Sequence, residues 1–152
     1  MTTLELSAEV NAPIWRVYQQ WRSFDRVAPL ISSITKVRHV GLARIAWREE
    51  QNGLSCEMDC RITVRPAENL IIWNSLTATQ YSCIASCQPR SAGKTLLTLK
   101  IQYLADEQWQ HPNAVFKRHM RYLNAFQETV EARESEVGGG QAQKGEVHCS
   151  AN

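Results

Sequence analysis

The sequence has little net charge and no long run of apolar residues. Its 17 Lys and Arg and 15 Asp and Glu residues leave a net charge of +2 in 152 residues, too small to indicate a nucleic-acid partner. No stretch approaches the roughly 18 apolar residues of a membrane-spanning helix. The N-terminus carries Glu5 and Glu9 and is unlike a signal peptide. We therefore expect a single-domain cytoplasmic protein with no nucleic acid and no transmembrane segment.

The cysteines have neither the number nor the spacing of a disulfide framework or a metal site. There are five cysteines, an odd number: Cys56, Cys60, Cys83, Cys87 and Cys149. The first four form two pairs that lie four residues apart in strand-like sequence, where that spacing covers about 13 Å. This is too far for one metal or one disulfide. The histidines have no metal-ligand spacing either; they are His39, His111, His119 and His148. We predict no metal site and no cofactor.

The spacing of apolar residues predicts a domain that begins with one strand and two short helices. Residues 3–10 alternate apolar and polar side chains, which is typical of a half-buried strand. Asn11 and Pro13 suit the start of a helix that runs to about Trp21. Ser23 then suits the start of a second short helix, and Pro29 ends it.

Six further strands and one long helix follow. The strands are predicted at 33–40, 43–49, 54–65, 69–77, 80–88 and 94–104. Their short links, such as Asn52-Gly53, indicate consecutive antiparallel pairing. The helix is predicted at 112–134, and its buried face comprises Val115, Phe116, His119, Met120, Leu123, Phe126 and Val130. Residues 1–134 would form the domain, and the glycine-containing segment 135–152 a disordered tail.

Segments spread along the chain carry a family resemblance. They are Val10–Arg38, Trp47, Cys56–Thr63, Glu68–Ser75, Lys94–Tyr103 and Asn124–Arg133. Over about residues 3–134 the sequence resembles the START-like (SRPBCC) superfamily, in the branch of polyketide cyclase/dehydrases and coenzyme Q-binding proteins. The resemblance implies an α+β helix-grip fold, in which a curved seven-stranded antiparallel sheet and a long C-terminal helix enclose an apolar cavity. Members bind sterols, lipids, isoprenoid quinones, hormones or polyketide chains, and a minority close polyketide chains into aromatic rings.

The strand predicted at 54–65 separates its apolar and charged residues by parity. The set expected to face the interior is Leu54, Cys56, Met58, Cys60, Ile62 and Val64, and the set expected to face water is Glu57, Asp59, Arg61, Thr63 and Arg65. Ring-forming relatives are similar here but have an inward arginine, and the match places Ile62 at its position. We expect Arg61 in solvent, because turning it inward would also bury Glu57 and Asp59.

The candidate ligand-binding residues are apolar and aromatic side chains of three parts of the predicted fold: the two short helices after the first strand, which we call the lid, the inner face of the sheet, and the long helix. They are Trp21, Phe24, Leu30, Trp47, Met58, Trp73, Tyr81, Phe116, Met120 and Leu123. Ordinary core packing is the alternative for each of them. If the protein is an enzyme, the catalytic candidates are His119, Arg61 and Tyr81, which can give general acid/base help.

Three functions stay open at this point. The first is binding of an apolar small molecule (a polyketide, an isoprenoid quinone or a lipid) between the sheet and the C-terminal helix. The second is that of an aromatase/cyclase, which closes and dehydrates a poly-β-ketone chain and needs an inward arginine, tyrosine or histidine. The third is a non-catalytic protein-interaction module whose interior is filled by its own side chains. The sequence also leaves a homodimer open.

Overall fold

A computed structural model describes residues 1–77, 80–138 and 147–151. The strands are β1 (Thr2–Val10), β2 (Ile34–Val40), β3 (Arg44–Gln51), β4 (Leu54–Arg65), β5 (Leu70–Ser75), β6 (Tyr81–Pro89), β7 (Thr95–Tyr103) and β8 (Val147–Ala151). The helices are α1 (Ile14–Arg22) and α2 (Pro112–Gly138), with 3₁₀ turns at Phe24–Arg26, Ala28–Leu30 and Pro66–Glu68. No helix among the described residues has the length and apolar character needed to span a membrane.

The strands form one antiparallel sheet in the order β2-β3-β4-β5-β6-β7-β1-β8. β2 to β7 are neighbours in chain order, because short links favour hairpins. Asn52 and Gly53 join β3 to β4 with φ values of +52° and +78°, the backbone that a tight two-residue hairpin turn requires. β1 pairs with β7, from Thr2 opposite Tyr103 to Val10 opposite Thr95. The predicted α+β helix-grip fold, with seven antiparallel strands and a long C-terminal helix, is confirmed.

The described part of the segment beyond residue 134 contains the last turn of α2 and a further strand, neither of which the sequence predicted. α2 continues to Gly138, and β8 pairs with β1, with Ala151 opposite Leu4 and Val147 opposite Ala8. The prediction of a disordered tail also covers residues 139–146 and 152, which lie outside the described residues.

The start of α1 and the segment after it differ in detail from the prediction. Pro13, not Asn11, occupies the N-cap position, and no side chain caps the helix. The backbone N–H of Asn11 instead donates to Glu131 Oε2 at 2.9 Å, which ties the end of β1 to α2. The second short helix is a pair of 3₁₀ turns, and Pro29 lies inside the second turn. A turn of this length tolerates proline, because the first N–H groups of a helix have no partner within it.

The core lies between the inner face of the sheet and α2. β1 contributes the alternate residues Leu4, Leu6, Ala8 and Val10, and α2 contributes Val115, His119, Tyr122, Leu123, Phe126 and Val130, all buried. Two members of the predicted helix face are placed differently: Phe116 is 36% exposed and Met120 is half-buried. The buried stripe passes through Arg118 and Tyr122 and so lies to one side of Phe116.

Candidate ligand site

Aromatic side chains from the lid, the sheet and α2 meet between the sheet and the helix. We call this set the aromatic cluster; its members are Trp21, Phe24, Trp47, Trp73, Tyr122 and Phe126. Each is at most 1% exposed, and the ring centroids of contacting pairs lie 4.9 to 6.5 Å apart. Trp21 stacks on Trp73 with centroids 5.2 Å apart and planes 13° from parallel. The cluster therefore occupies the place where the resemblance implies a cavity.

Local structure explains how these rings converge. Trp47 and Trp73 point inward from β3 and β5, and the strand between them aligns Met58 with Trp47 and Ile62 with Trp73. Trp21 ends the buried face of α1, and Phe24 begins the first 3₁₀ turn. Met58 and Leu123, also predicted to bind ligand, are buried in the same core. Their binding role stays a prediction.

The three indole N–H groups of the aromatic cluster differ in their hydrogen bonding. Trp47 Nε1 donates to Glu49 Oε1 at 3.1 Å. Trp21 Nε1 and Trp73 Nε1 are buried and have no hydrogen-bond acceptor among the described residues. A buried donor without a partner costs about 1–3 kcal/mol. Two hydrogen-bond donors are therefore available inside an apolar, aromatic environment.

A buried carboxylate lies beside the aromatic cluster. Glu49 is fully buried, and its Oε1 accepts a short hydrogen bond from Tyr122 Oη as well as the bond from Trp47. Its Oε2 pairs with Arg121 Nη2 at 3.2 Å. Sequence reasoning missed Glu49, although the alternation of β3 contains the signal. Every second residue from Ile45 onward shares one face of the strand, and this series continues through Trp47 to Glu49 and Gln51, which are both buried.

Tyr81 and His119, both catalytic candidates, form a buried pair. The Tyr81 hydroxyl and His119 Nε2 lie 2.6 Å apart, and His119 Nδ1 lies 2.8 Å from the Val115 carbonyl oxygen. A carbonyl only accepts, so Nδ1 carries the hydrogen and Nε2 accepts from Tyr81. Burial raises the pKa of Tyr81 well above its usual value. Because the hydroxyl hydrogen is donated to His119, Tyr81 offers a ligand its lone pair rather than a free donor.

Burial, with the charge of Arg118 as the second cause, lowers the pKa of His119 from 6.5 to about 3. Between about pH 6.5 and pH 3, His119 is therefore protonated in the unfolded chain and neutral in the folded chain. The contribution of His119 to the free energy of unfolding is therefore most favourable above pH 6.5 and is lost progressively as the pH falls below that value.

We expect the free energy of unfolding to fall between pH 7 and pH 5 by about 2 kcal/mol more in the native protein than in His119→Gln. Urea titrations at the two pH values measure this difference. His39→Gln is the matched control, because it makes the same chemical change at an exposed side chain. An unchanged pH dependence in His119→Gln would show that His119 titrates normally in the folded protein.

The remaining predicted site residues lie outside the interior. Arg61 is exposed on the outer face of β4, as expected. Leu30 is 66% exposed, whereas its neighbours Ala28 and Ile31 are buried; its role in ligand binding stays a prediction. Phe116 also faces outward, and Met120 lies at the edge of the core.

The inward arginine of this protein is Arg118. It is fully buried and approaches the ring of Trp109 with its guanidinium carbon 4.4 Å from the centroid. Sequence reasoning did not select it, because a charged residue next to the apolar stripe of a helix is usually on the solvent side. Its spacing of four residues from Tyr122 is the signal that places it on the inner face.

The fold, a curved antiparallel sheet with a long C-terminal helix, is similar to that of START superfamily and aromatase/cyclase structures. No protein-family model matches the sequence. The chain is 22% identical over 151 residues to an uncharacterized 17.2 kDa protein of Streptomyces lincolnensis encoded in the melC2-rnhH intergenic region, covering 91% of this chain and 96% of that one.

Solved structures with the same fold have low sequence identity to this chain. The aromatase/cyclase Zhui from Streptomyces sp. R1128 has a TM-score of 0.76 at 18% identity, over 91% of this chain and 98% of that one. A START superfamily protein from Mycobacterium smegmatis has a TM-score of 0.71 at 15% identity, over 87% and 99%. The di-domain ARO/CYC BexL has a TM-score of 0.70 at 24% identity, over 86% of this chain and 47% of that one. At these identities the likeness shows the fold alone.

Proposed function

We propose that this protein binds an apolar small molecule that bears carbonyl groups, a polyketide or an isoprenoid quinone, between the sheet and α2. The observation that supports this best is the pair of buried indole N–H groups of Trp21 and Trp73, which have no acceptor among the described residues. A ligand carbonyl would accept from them, and a flat conjugated body would stack on the surrounding rings. A purely hydrocarbon lipid would leave both donors unpaired.

Ligand entry in this proposal requires the lid to move, because the rings of the aromatic cluster contact one another. Phe24 is the member carried by the 3₁₀ turns, which have no side-chain caps. Such turns are short and weakly held compared with an α-helix. Displacing Phe24 would open a space bounded by the four rings that it contacts, those of Trp21, Trp47, Trp73 and Tyr122.

Two probes of the same shape test whether the indole donors bind carbonyl oxygen. 9,10-Anthraquinone carries two carbonyl groups, and anthracene carries none. We expect the native protein to bind anthraquinone more tightly, and Trp73→Phe to lose about 5- to 30-fold in anthraquinone affinity with little change for anthracene. Trp15→Phe is the matched control, because Trp15 is exposed. Equal affinities for the two probes in the native protein would refute the role of the donors.

The natural ligand can be sought directly. Native mass spectrometry of the protein purified from its own host, followed by organic extraction, should reveal a stoichiometric quinone or polyketide. A protein that is empty, and stays empty against a panel of such molecules, would argue against carriage and favour the protein-interaction module. The cytoplasmic location and a homodimer stay predictions, and mass spectrometry of the same sample reports the assembly state.

Ring closure by an aromatase/cyclase is the second candidate function, and the buried Tyr81–His119 pair favours it. The Tyr81 oxygen, oriented by its hydrogen bond to His119, could hold an enol hydroxyl of a chain beside it and so position that chain for ring closure. The exposed position of Arg61 weighs against this function. A turnover assay with a poly-β-ketone substrate distinguishes the two candidates: cyclisation lost in Tyr81→Phe supports catalysis, and binding without turnover supports carriage.

A further inference from the structure

Arg118 is a buried cation whose hydrogen-bond partners among the described residues are all neutral. Its Nη1 donates to the Trp109 carbonyl oxygen at 3.0 Å and to Gln51 Oε1 at 3.3 Å. Its Nη2 donates to Gln110 Oε1 at 2.8 Å. Its Nε is buried and has no hydrogen-bond acceptor among the described residues. The guanidinium therefore has neutral acceptors on one side and donors left over on the other.

No carboxylate of the described chain lies within ion-pair distance of Arg118; the four ion pairs found there are Arg16–Glu134, Arg44–Asp59, Lys94–Glu9 and Arg121–Glu49. The buried carboxylate nearby, Glu49, is taken by Arg121, Trp47 and Tyr122. A buried charge without a counter-ion costs several kcal/mol. The neutral acceptors and the Trp109 ring offset part of this cost, and an anion would offset more.

Arg118 lies at one end of the candidate site. Tyr122 follows it one turn later on the same face of α2, and Phe126 follows two turns later. The rise of a helix separates Arg118 from Phe126 by about 12 Å. The interior thus has an aromatic end under the lid and a cationic end near the start of α2. The charge of Arg118 reaches the groups between, because it contributes to the lowered pKa of His119.

We propose that the ligand of this site carries a carboxylate group that pairs with Arg118 while its aromatic or quinonoid body lies in the aromatic cluster. This inference rests on the proposed function and specifies its ligand class. A guanidinium has five N–H donors, and the three hydrogen bonds described leave the Nε–H and one Nη2 hydrogen. These donors sit on adjacent nitrogens, and a planar carboxylate has two oxygens to accept them.

The test compares anthraquinone-2-carboxylate with its neutral carboxamide at neutral pH. We expect the native protein to bind the acid at least tenfold more tightly than the amide. Arg118→Gln should remove this preference. Lys117→Gln is the matched control, since it removes a positive charge from the adjacent, exposed position and should keep the preference. Circular dichroism and a urea titration establish that each variant is folded.

A second measurement avoids mutation altogether. The ¹⁵N resonance of the Arg118 Nε–H in the native protein should shift with the acid and not with the amide. If both probes bind equally, or if the preference survives in Arg118→Gln, the carboxylate pairing is refuted and the proposed function stands. If neither probe binds, both inferences fail.

Discussion

Replacing Trp73 with alanine is expected to lower the free energy of unfolding by about 3–5 kcal/mol. Trp73 is fully buried, and its ring contacts those of Trp21, Phe24, Trp47 and Tyr122. Its removal takes away buried apolar area and leaves a cavity that rings on four different elements cannot close together. The loss is a large fraction of the stability of a domain of this size.

Urea denaturation followed by far-UV circular dichroism measures this loss without relying on tryptophan emission. Trp15→Ala is the control, because it makes the same chemical change at a side chain that is 58% exposed. The guanidinium carbon of Arg16 lies 4.7 Å from the centroid of the Trp15 ring, and we expect a loss of about 1 kcal/mol or less. Similar losses in both variants would mean that the aromatic cluster contributes no special stability.

Replacing Glu49 with alanine is the second change for which we expect a loss of about 3–5 kcal/mol. Glu49 accepts hydrogen bonds from Trp47 and Tyr122 and pairs with Arg121. Without it, a hydroxyl and an indole N–H are left buried without their acceptor, and Arg121 loses its counter-ion. Breaking one side of a buried network is costly because the other members stay desolvated.

Glu50→Ala is the control for Glu49→Ala, since the adjacent side chain faces solvent. Its effect should stay within about 0.5 kcal/mol. Glu49→Gln should recover part of the loss, because an amide oxygen still accepts from Tyr122 and Trp47 but carries no charge for Arg121. Equal stability of Glu49→Ala and Glu50→Ala, measured by the same urea titrations, would contradict the buried network.

The strands of this fold could be predicted from the sequence because their alternation has a period of two and their links are short. The strand predicted at residues 54–65, for example, is observed as β4 (Leu54–Arg65). The lid was harder to predict, because 3₁₀ turns do not follow the period of an α-helix. Pro29, which would end an α-helix, lies inside such a turn. β8 was missed because a short segment after a glycine-rich stretch has too few apolar residues to stand out.

The aromatic residues of the candidate site and its Tyr81–His119 pair could also be predicted, whereas the buried charges could not. Trp21, Trp47 and Trp73 stood out as large rings on inward positions. Glu49 and Arg118 were passed over because buried charges are rare, and only a partner elsewhere in the chain makes one acceptable. Two of the three partners of Glu49, Arg121 and Tyr122, are on α2, more than 70 residues away. Pairing over such distances comes from tertiary structure, and no local pattern records it.

The pairing of β1 with β7 has a consequence for how the protein is made. The two strands lie about 85 to 100 residues apart in the chain, so β1 leaves the ribosome well before its partner exists. At usual rates of translation the wait is roughly 4 to 20 s. During that time the inward row of Leu4, Leu6, Ala8 and Val10 has no sheet to join. The nascent chain must therefore keep an apolar N-terminal segment from pairing with other polypeptides, a task that in cells falls to chaperones.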